Sequence, residues 1–140
     1  MRIRVAVSVL ALLSSSGCVY ELWRHESVYN FPESFTGWAR LDYEVRECQS
    51  GMIDCMIIFD FSESGRACTN AWFSKGSRFD KFYYRNADFK SASFKASGVR
   101  VFGRRSVTRE SEVGTQEKYE EFFVGTKAQF DQAGPPPWGQ

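Results

Sequence analysis

The sequence predicts an all-β domain, mainly antiparallel, built as a β-sandwich or small barrel with a short helix near the C-terminus. Three observations predict it. Residues Phe35 to Val45 alternate apolar and polar with period two. Short β-prone runs are separated by glycine-containing turns, and no long 3.6-residue period appears. Aromatic side chains make up 16% of the 140 residues, enough to fill a core between two sheets.

The elements follow in order. Phe35, Gly37, Ala39, Leu41, Tyr43 and Val45 line one face of the first predicted strand, and Trp38 alone breaks its polar face. Cys55 to Phe61 begins apolar on both faces, which suits a strand flanked on both sides. Ser62 to Gly65 reads as a turn, and Ala67 to Phe73 as a third strand. Phe79 to Arg85 is aromatic-rich and strand-like. Val99 to Phe102 and Val107-Thr108 read as two shorter strands. A faint five-residue echo over Ala87 to Val101 is too short for a repeat coil and reads as strand and loop. Tyr119 to Thr126 fits strand or helix. Thr126 with Gln129 forms a capping-box signal for a short helix. Residues 134–140, Gly-Pro-Pro-Pro-Trp-Gly-Gln, read as a loose tail.

Residues 1–17 read as a signal peptide. Arg2 and Arg4 precede an apolar run, Val5 to Leu13, which is too short to span a bilayer. Ser15-Ser16-Gly17-Cys18 resembles the lipobox of bacterial lipoproteins. That resemblance implies that Cys18 becomes the lipid-modified first residue of a mature chain held at a membrane by acyl chains such as palmitate. Val19, in place of aspartate, points to the outer membrane facing the periplasm. Residues 18–34, with charges and Pro32, read as a tether, and 35–133 as a single β-rich domain.

With Cys18 lipidated, Cys48, Cys55 and Cys68 remain, which permits one internal disulfide in an oxidising compartment. Cys48 with Cys55 closes the shorter loop, and Cys48 with Cys68 is the alternative. No C-x-x-C spacing occurs, and the single histidine, His25, falls in the predicted tether, so no metal site or cofactor is expected. The chain lacks G-x-S-x-G, H-E-x-x-H and P-loop motifs, so no enzyme is expected. Glu120 and Glu121 are adjacent. On a strand they face opposite sides, which does not suit shared acid–base work, and they read as solvated charges.

Charge is unevenly distributed. Residues 18–65 carry 9 acidic and 3 basic groups, 66–109 carry 2 and 11, and 110–140 carry 6 and 2. Lys81, Arg85, Arg100, Arg104, Arg105 and Arg109 are the candidate anion- or partner-binding residues of the basic segment. Two readings compete. Acidic and basic strands pair across a sheet, or a basic face takes an anionic envelope component or protein. The near-neutral total charge argues against nucleic acid. Trp38, Trp72, Tyr83 and Tyr84 are aromatics for either the core or a sugar-stacking surface.

Further motifs carry a family resemblance. Phe31-Pro32-Glu33-Ser34-Phe35-Thr36-Gly37-Trp38 with Leu41 and Tyr43 comes first. Ser64-Gly65-Arg66 with Thr69, Phe82-Tyr83-Tyr84, and Glu121-Phe122-Phe123-Val124-Gly125-Thr126 follow. In this order they resemble an uncharacterised family of small bacterial lipoprotein domains. The resemblance implies a secreted, mainly β domain and brings no activity. Ala96-Ser97-Gly98 with Arg100 is similar to the inhibitory loop of periplasmic lysozyme-inhibitor lipoproteins, whose C-terminal cysteine has no counterpart after Cys68. The expectation is a membrane-anchored, non-enzymatic binding or structural module of the cell envelope. The alternative is an inhibitor or exclusion factor acting on an incoming protein through a basic loop.

Overall fold

The structure, a computed structural model, describes residues 26–49, 51–53, 56–73, 80–85 and 91–138. It is a two-sheet sandwich with mixed strand pairing. The elements are β1 (Glu26–Pro32), β2 (Gly37–Tyr43), β3 (Gly51–Ile53), β4 (Met56–Asp60), β5 (Arg66–Cys68), β6 (Asp80–Arg85), β7 (Ser91–Ser93), α1 (Phe94–Ser97), β8 (Arg100–Glu110), β9 (Gln116–Gly125) and α2 (Lys127–Gln132). The first sheet has the order β3-β4-β1-β6-β7 and the second β5-β2-β9-β8.

The chain shuttles between the sheets, and this explains why three parallel pairs stand among the mainly antiparallel ones. After β1 it crosses to β2, after β4 to β5, and from β7 through α1 to β8. The return run lies in the second sheet, so β1 pairs in parallel with both β4 and β6, and β2 pairs in parallel with β5. The antiparallel pairs are β3–β4, β6–β7, β2–β9 and β8–β9.

Aromatic rings form the core. Tyr29 and Phe31 of β1, Phe59 and Phe61 around the end of β4, and Tyr84 of β6 face Ala39, Leu41, Tyr43, Phe122 and Val124 of the second sheet. Phe31 stacks on Phe61 at 4.2 Å, and Tyr29 stacks on Phe82 at 4.6 Å. Phe122 meets the rings of Tyr29, Phe31, Phe61 and Phe82 edge-on, all at 5.8–6.1 Å. Edge-to-face contacts of this kind add roughly 0.5–1.5 kcal/mol each beyond area burial. A smaller cluster covers the outer face of the second sheet, where Trp38, Phe102 and Phe123 pack against Phe130 of α2. Trp38 breaks the alternation of β2 because its face is covered by α2.

Several expectations are corrected. The span read as a tether contains β1, the middle strand of the first sheet, with Tyr29 and Phe31 fully buried. The pattern misleads because the inward positions are Ser27, Tyr29 and Phe31 while Val28 faces outward. The strand expected over Ala67 to Phe73 is the three-residue β5, and the two short strands expected from Val99 to Thr108 are, from Arg100 on, one 11-residue strand, β8. Residues up to Trp138 of the C-terminal tail are docked. Trp38 Nε1 donates to Gly134 O at 3.1 Å, and Trp138 Nε1 donates to Glu121 Oε2 at 2.8 Å. The disulfide joins Cys48 to Cys68, with Cα atoms 5.8 Å apart, and not Cys48 to Cys55. The turn after β2 brings Cys48 beside the end of β5, which pairs with β2. Cys18, His25 and Cys55 lie outside the described residues. Thr126 and Gln129 form both halves of the capping box that opens α2.

Candidate functional site

Two features collect the predicted basic residues: a cross-strand charge ladder and a lateral cleft. The ladder follows from register. In the β8–β9 pair, Arg105 lies opposite Glu121 and Arg109 opposite Glu117. Arg105 Nε donates to Glu121 Oε1, and Arg109 Nη2 lies 3.6 Å from Glu117 Oε2. Arg104 reaches inward, where it pairs with Glu120 and lies 2.6 Å from Asp80 of β6. On the first sheet, Lys81 pairs with Glu26, and Arg85 with Asp60 at 3.2 Å.

The bulge between Phe102 and Arg105 sets which of the two neighbouring arginines faces inward and which outward. Gly103 sits there at φ 59°, in the left-handed region. Phe102 packs outward on Phe130, Arg104 turns toward the core, and Arg105 turns outward.

Glu120 and Glu121 therefore do face opposite sides, but neither is solvated. They are 7% and 1% exposed. Glu120 Oε2 accepts from Tyr29 and Tyr43 hydroxyls at 3.2 Å each, while its Oε1 accepts from Arg104 Nε. Arg104 Nη2 also donates to the Tyr29 hydroxyl at 3.0 Å. Burial, helped by Tyr43 and Glu120, pushes the Tyr29 hydroxyl far above the ordinary tyrosine range. Burial opposes the charge of Arg104, yet its hydrogen bond to Glu120 and the charges around it hold its pKa above the ordinary value. Both carboxylates are committed to arginines, which suits a structural bolt and not acid–base turnover.

The cleft opens on the flank of the sandwich between β6–β7 and the first residues of β8. Its volume is about 740 Å³, within the usual range for small-molecule sites. Phe82, Phe94, Val99 and Val101 form an apolar lining, to which Lys81 and Arg100 bring positive charge and Asp80, itself paired with Arg104, a carboxylate. Lys81 is held by Glu26, and that hydrogen bond raises the pKa of its ammonium above the ordinary value. Arg100 is exposed and, alone of the six predicted cations, has no ion pair among the described residues. The structure thus brings Lys81 and Arg100 to one cleft. It places Arg104, Arg105 and Arg109 on the ladder, and Arg85 beside Asp60. Sequence reasoning took Glu120 for a solvated charge and missed Tyr29 and Phe94, since only the β1–β9 approach and the α1 turn bring them to these sites. The aromatics divide in the same way: Tyr84 is buried, Trp38 is packed, and Trp72 stands exposed.

No curated protein matches the chain. A solved structure, that of a "Putative Lipoprotein from Bacillus anthracis", shares the fold with a TM-score of 0.62 at 16% identity, covering 84% of each chain. The family described as "Family of unknown function (DUF6843)" matches residues 24–133, and the chain belongs to that family.

Proposed function

We propose that the protein is a lipid-anchored, non-catalytic binding module of the cell envelope whose lateral cleft takes a small anionic amphiphile. The cleft carries this reading. Its aromatic and aliphatic lining suits an acyl chain, and Arg100, which has no ion pair among the described residues, offers a guanidinium to a carboxylate or phosphate head. The anchor is supported by Ser15-Ser16-Gly17-Cys18, close ahead of β1, and by the fold shared with the "Putative Lipoprotein" of Bacillus anthracis. A non-catalytic role is supported by Glu120 and Glu121, each bound to an arginine on opposite faces of β9. Val19 supports an outer-membrane location facing the periplasm. Capture of an incoming protein by a basic loop is less favoured, because Arg104 and Arg105 are already held by carboxylates.

The anchor is tested by intact mass and membrane fractionation of wild type beside Cys18→Ser. Acyl mass and membrane residence only in wild type are expected. The cleft is tested by titrating the Cys18→Ser protein with a fluorescent fatty acid in detergent-free buffer. Saturable binding to one site is expected, weakened about tenfold or more by Arg100→Glu, the scale of a lost charge-assisted hydrogen bond. Binding that does not saturate, or that ignores Arg100→Glu, rejects the assignment.

A further inference from the structure

Trp72 and Val113 are the large apolar side chains that stand exposed among the described residues, at 84% and 83%. They are far apart in sequence, yet the topology brings both to one end of the sandwich. Strand β2 delivers Glu44 there, and Glu44 holds the Trp72 loop from both sides. Glu44 N donates to Ala71 O at 3.2 Å, and Phe73 N donates to Glu44 Oε1 at 3.3 Å. Strand β9 starts at the same end, with Lys118 opposite Tyr43 and its ammonium 2.7 Å from Glu44 Oε2. The β8–β9 turn closes just beyond, where Ser111 N donates to Thr115 O at 2.7 Å, and Val113 sits within that turn.

The first described residue, Glu26, emerges at this end too. Ser27 lies opposite Asp80, and Asp80 is bound to the arginine that holds Glu120. Only residues 19–25 separate Cys18 from Glu26, a span of roughly 28 Å at full extension. Strand β8, 11 residues long, runs roughly 37 Å between the two ends of the sandwich. A lipid on Cys18 therefore holds the Trp72–Val113 end nearest the bilayer. Tryptophan favours the membrane–water interface. Glu44 pairs with Lys118, Glu26 with Lys81 and Arg109 with Glu117 at this end, while Glu110 and Glu112 beside Val113 add negative charge, so the anchor and apolar contact, not charge attraction, hold this end at the bilayer.

We propose that this end of the domain rests on the bilayer holding the Cys18 acyl chains, with Trp72 and Val113 in its interfacial layer. The inference rests on the lipid anchor proposed above. It leaves the lateral cleft open along the flank.

The test uses the acylated mature protein in vesicles of phosphatidylcholine and phosphatidylglycerol, some carrying lipids brominated near the headgroup. The Trp72 signal is the difference between wild type and Trp72→Phe. That signal is expected to shift to shorter wavelength on the vesicles and to be quenched by the brominated lipids. Val113→Asp, a change at an exposed turn, is expected to reduce the quenching. An acylated protein that floats with the vesicles while its Trp72 emission matches that of the vesicle-free Cys18→Ser protein overturns the docking face and leaves the anchor standing. A wild type without acyl mass overturns the anchor and the docking face together.

Discussion

Glu120 shows how much one side chain can organise here. Its two oxygens take hydrogen bonds from Tyr29, Tyr43 and Arg104, joining both sheets at one depth. Glu120→Ala leaves a partly buried guanidinium without that carboxylate, and removes the Glu120 acceptor from the Tyr29 and Tyr43 hydroxyls. Breaking a buried pair from one side costs about 3–5 kcal/mol. A fall of that size in unfolding free energy is expected in urea, and a shift below about 1 kcal/mol would show the bolt to be weak. Tyr29 adds a pH dependence. Burial raises its folded pKa, and that of Tyr84, above the ordinary value, while both ionise near pH 10 in the unfolded chain. The unfolded state then binds fewer protons than the native state, so this contribution is complete below about pH 10 and is lost as pH rises above it. The urea midpoint is expected to fall between about pH 9 and 11, and Tyr29→Phe to flatten that fall. Part of this was legible in the sequence. Period two places Glu120 and Glu121 on opposite faces without any structure. Their burial was not legible, because the arginines that neutralise them depend on a one-residue slip in the neighbouring strand.

That slip belongs to the scale of the element. Without it, strict alternation would put Arg104 outward and Arg105 inward, reversing both ion pairs. Gly103, at φ 59°, lets the strand take in an extra residue and continue. A Cβ there would stand 3.1 Å from the Phe130 ring and 3.4 Å from Trp38. Gly103→Ala is expected to cost roughly 1–3 kcal/mol, from left-handed strain of about 1–2 kcal/mol plus displacement of α2. Thermal unfolding measures the loss, and Trp38 fluorescence reports the shift of the helix. An unchanged melting temperature would mean the bulge is relaxed and α2 yields freely. The same bulge explains why the sequence reads as two short strands around Gly103-Arg104-Arg105: the alternation changes phase at that point. The α2 cap is the opposite case. Thr126 and Gln129 act within one turn, so the local sequence was sufficient to place the helix.

At the scale of the whole molecule, the chain ends decide which parts belong to the fold. The N-terminal strand was hidden in a span that reads as a tether, since Ser27 takes an inward position and Pro32 closes the strand. The C-terminal residues look like a free tail because three prolines preclude regular structure. Yet Gly134 accepts from Trp38, Trp138 donates to Glu121, and Arg66 lies 5.4 Å over the Trp138 ring. The tail is therefore a clasp across the outer face of the second sheet. That sheet shares Phe122 with the rings of the first, so a loss on its outer face should register in global unfolding and not as local fraying. Ending the chain after Ala133 removes one of the two donors that reach the nearly inaccessible Glu121 among the described residues, and the acceptor of the Trp38 indole. Each net hydrogen bond contributes about 0.5–1.5 kcal/mol, and more when one partner is charged. A loss of roughly 2–3 kcal/mol in a single urea transition is expected. Trp138→Phe, which keeps a ring over Arg66 and deletes the N–H, should lose about half of it. A truncated protein that unfolds at the wild-type midpoint would show that Arg105 alone satisfies Glu121. A separate early transition would show that the second sheet opens without the first.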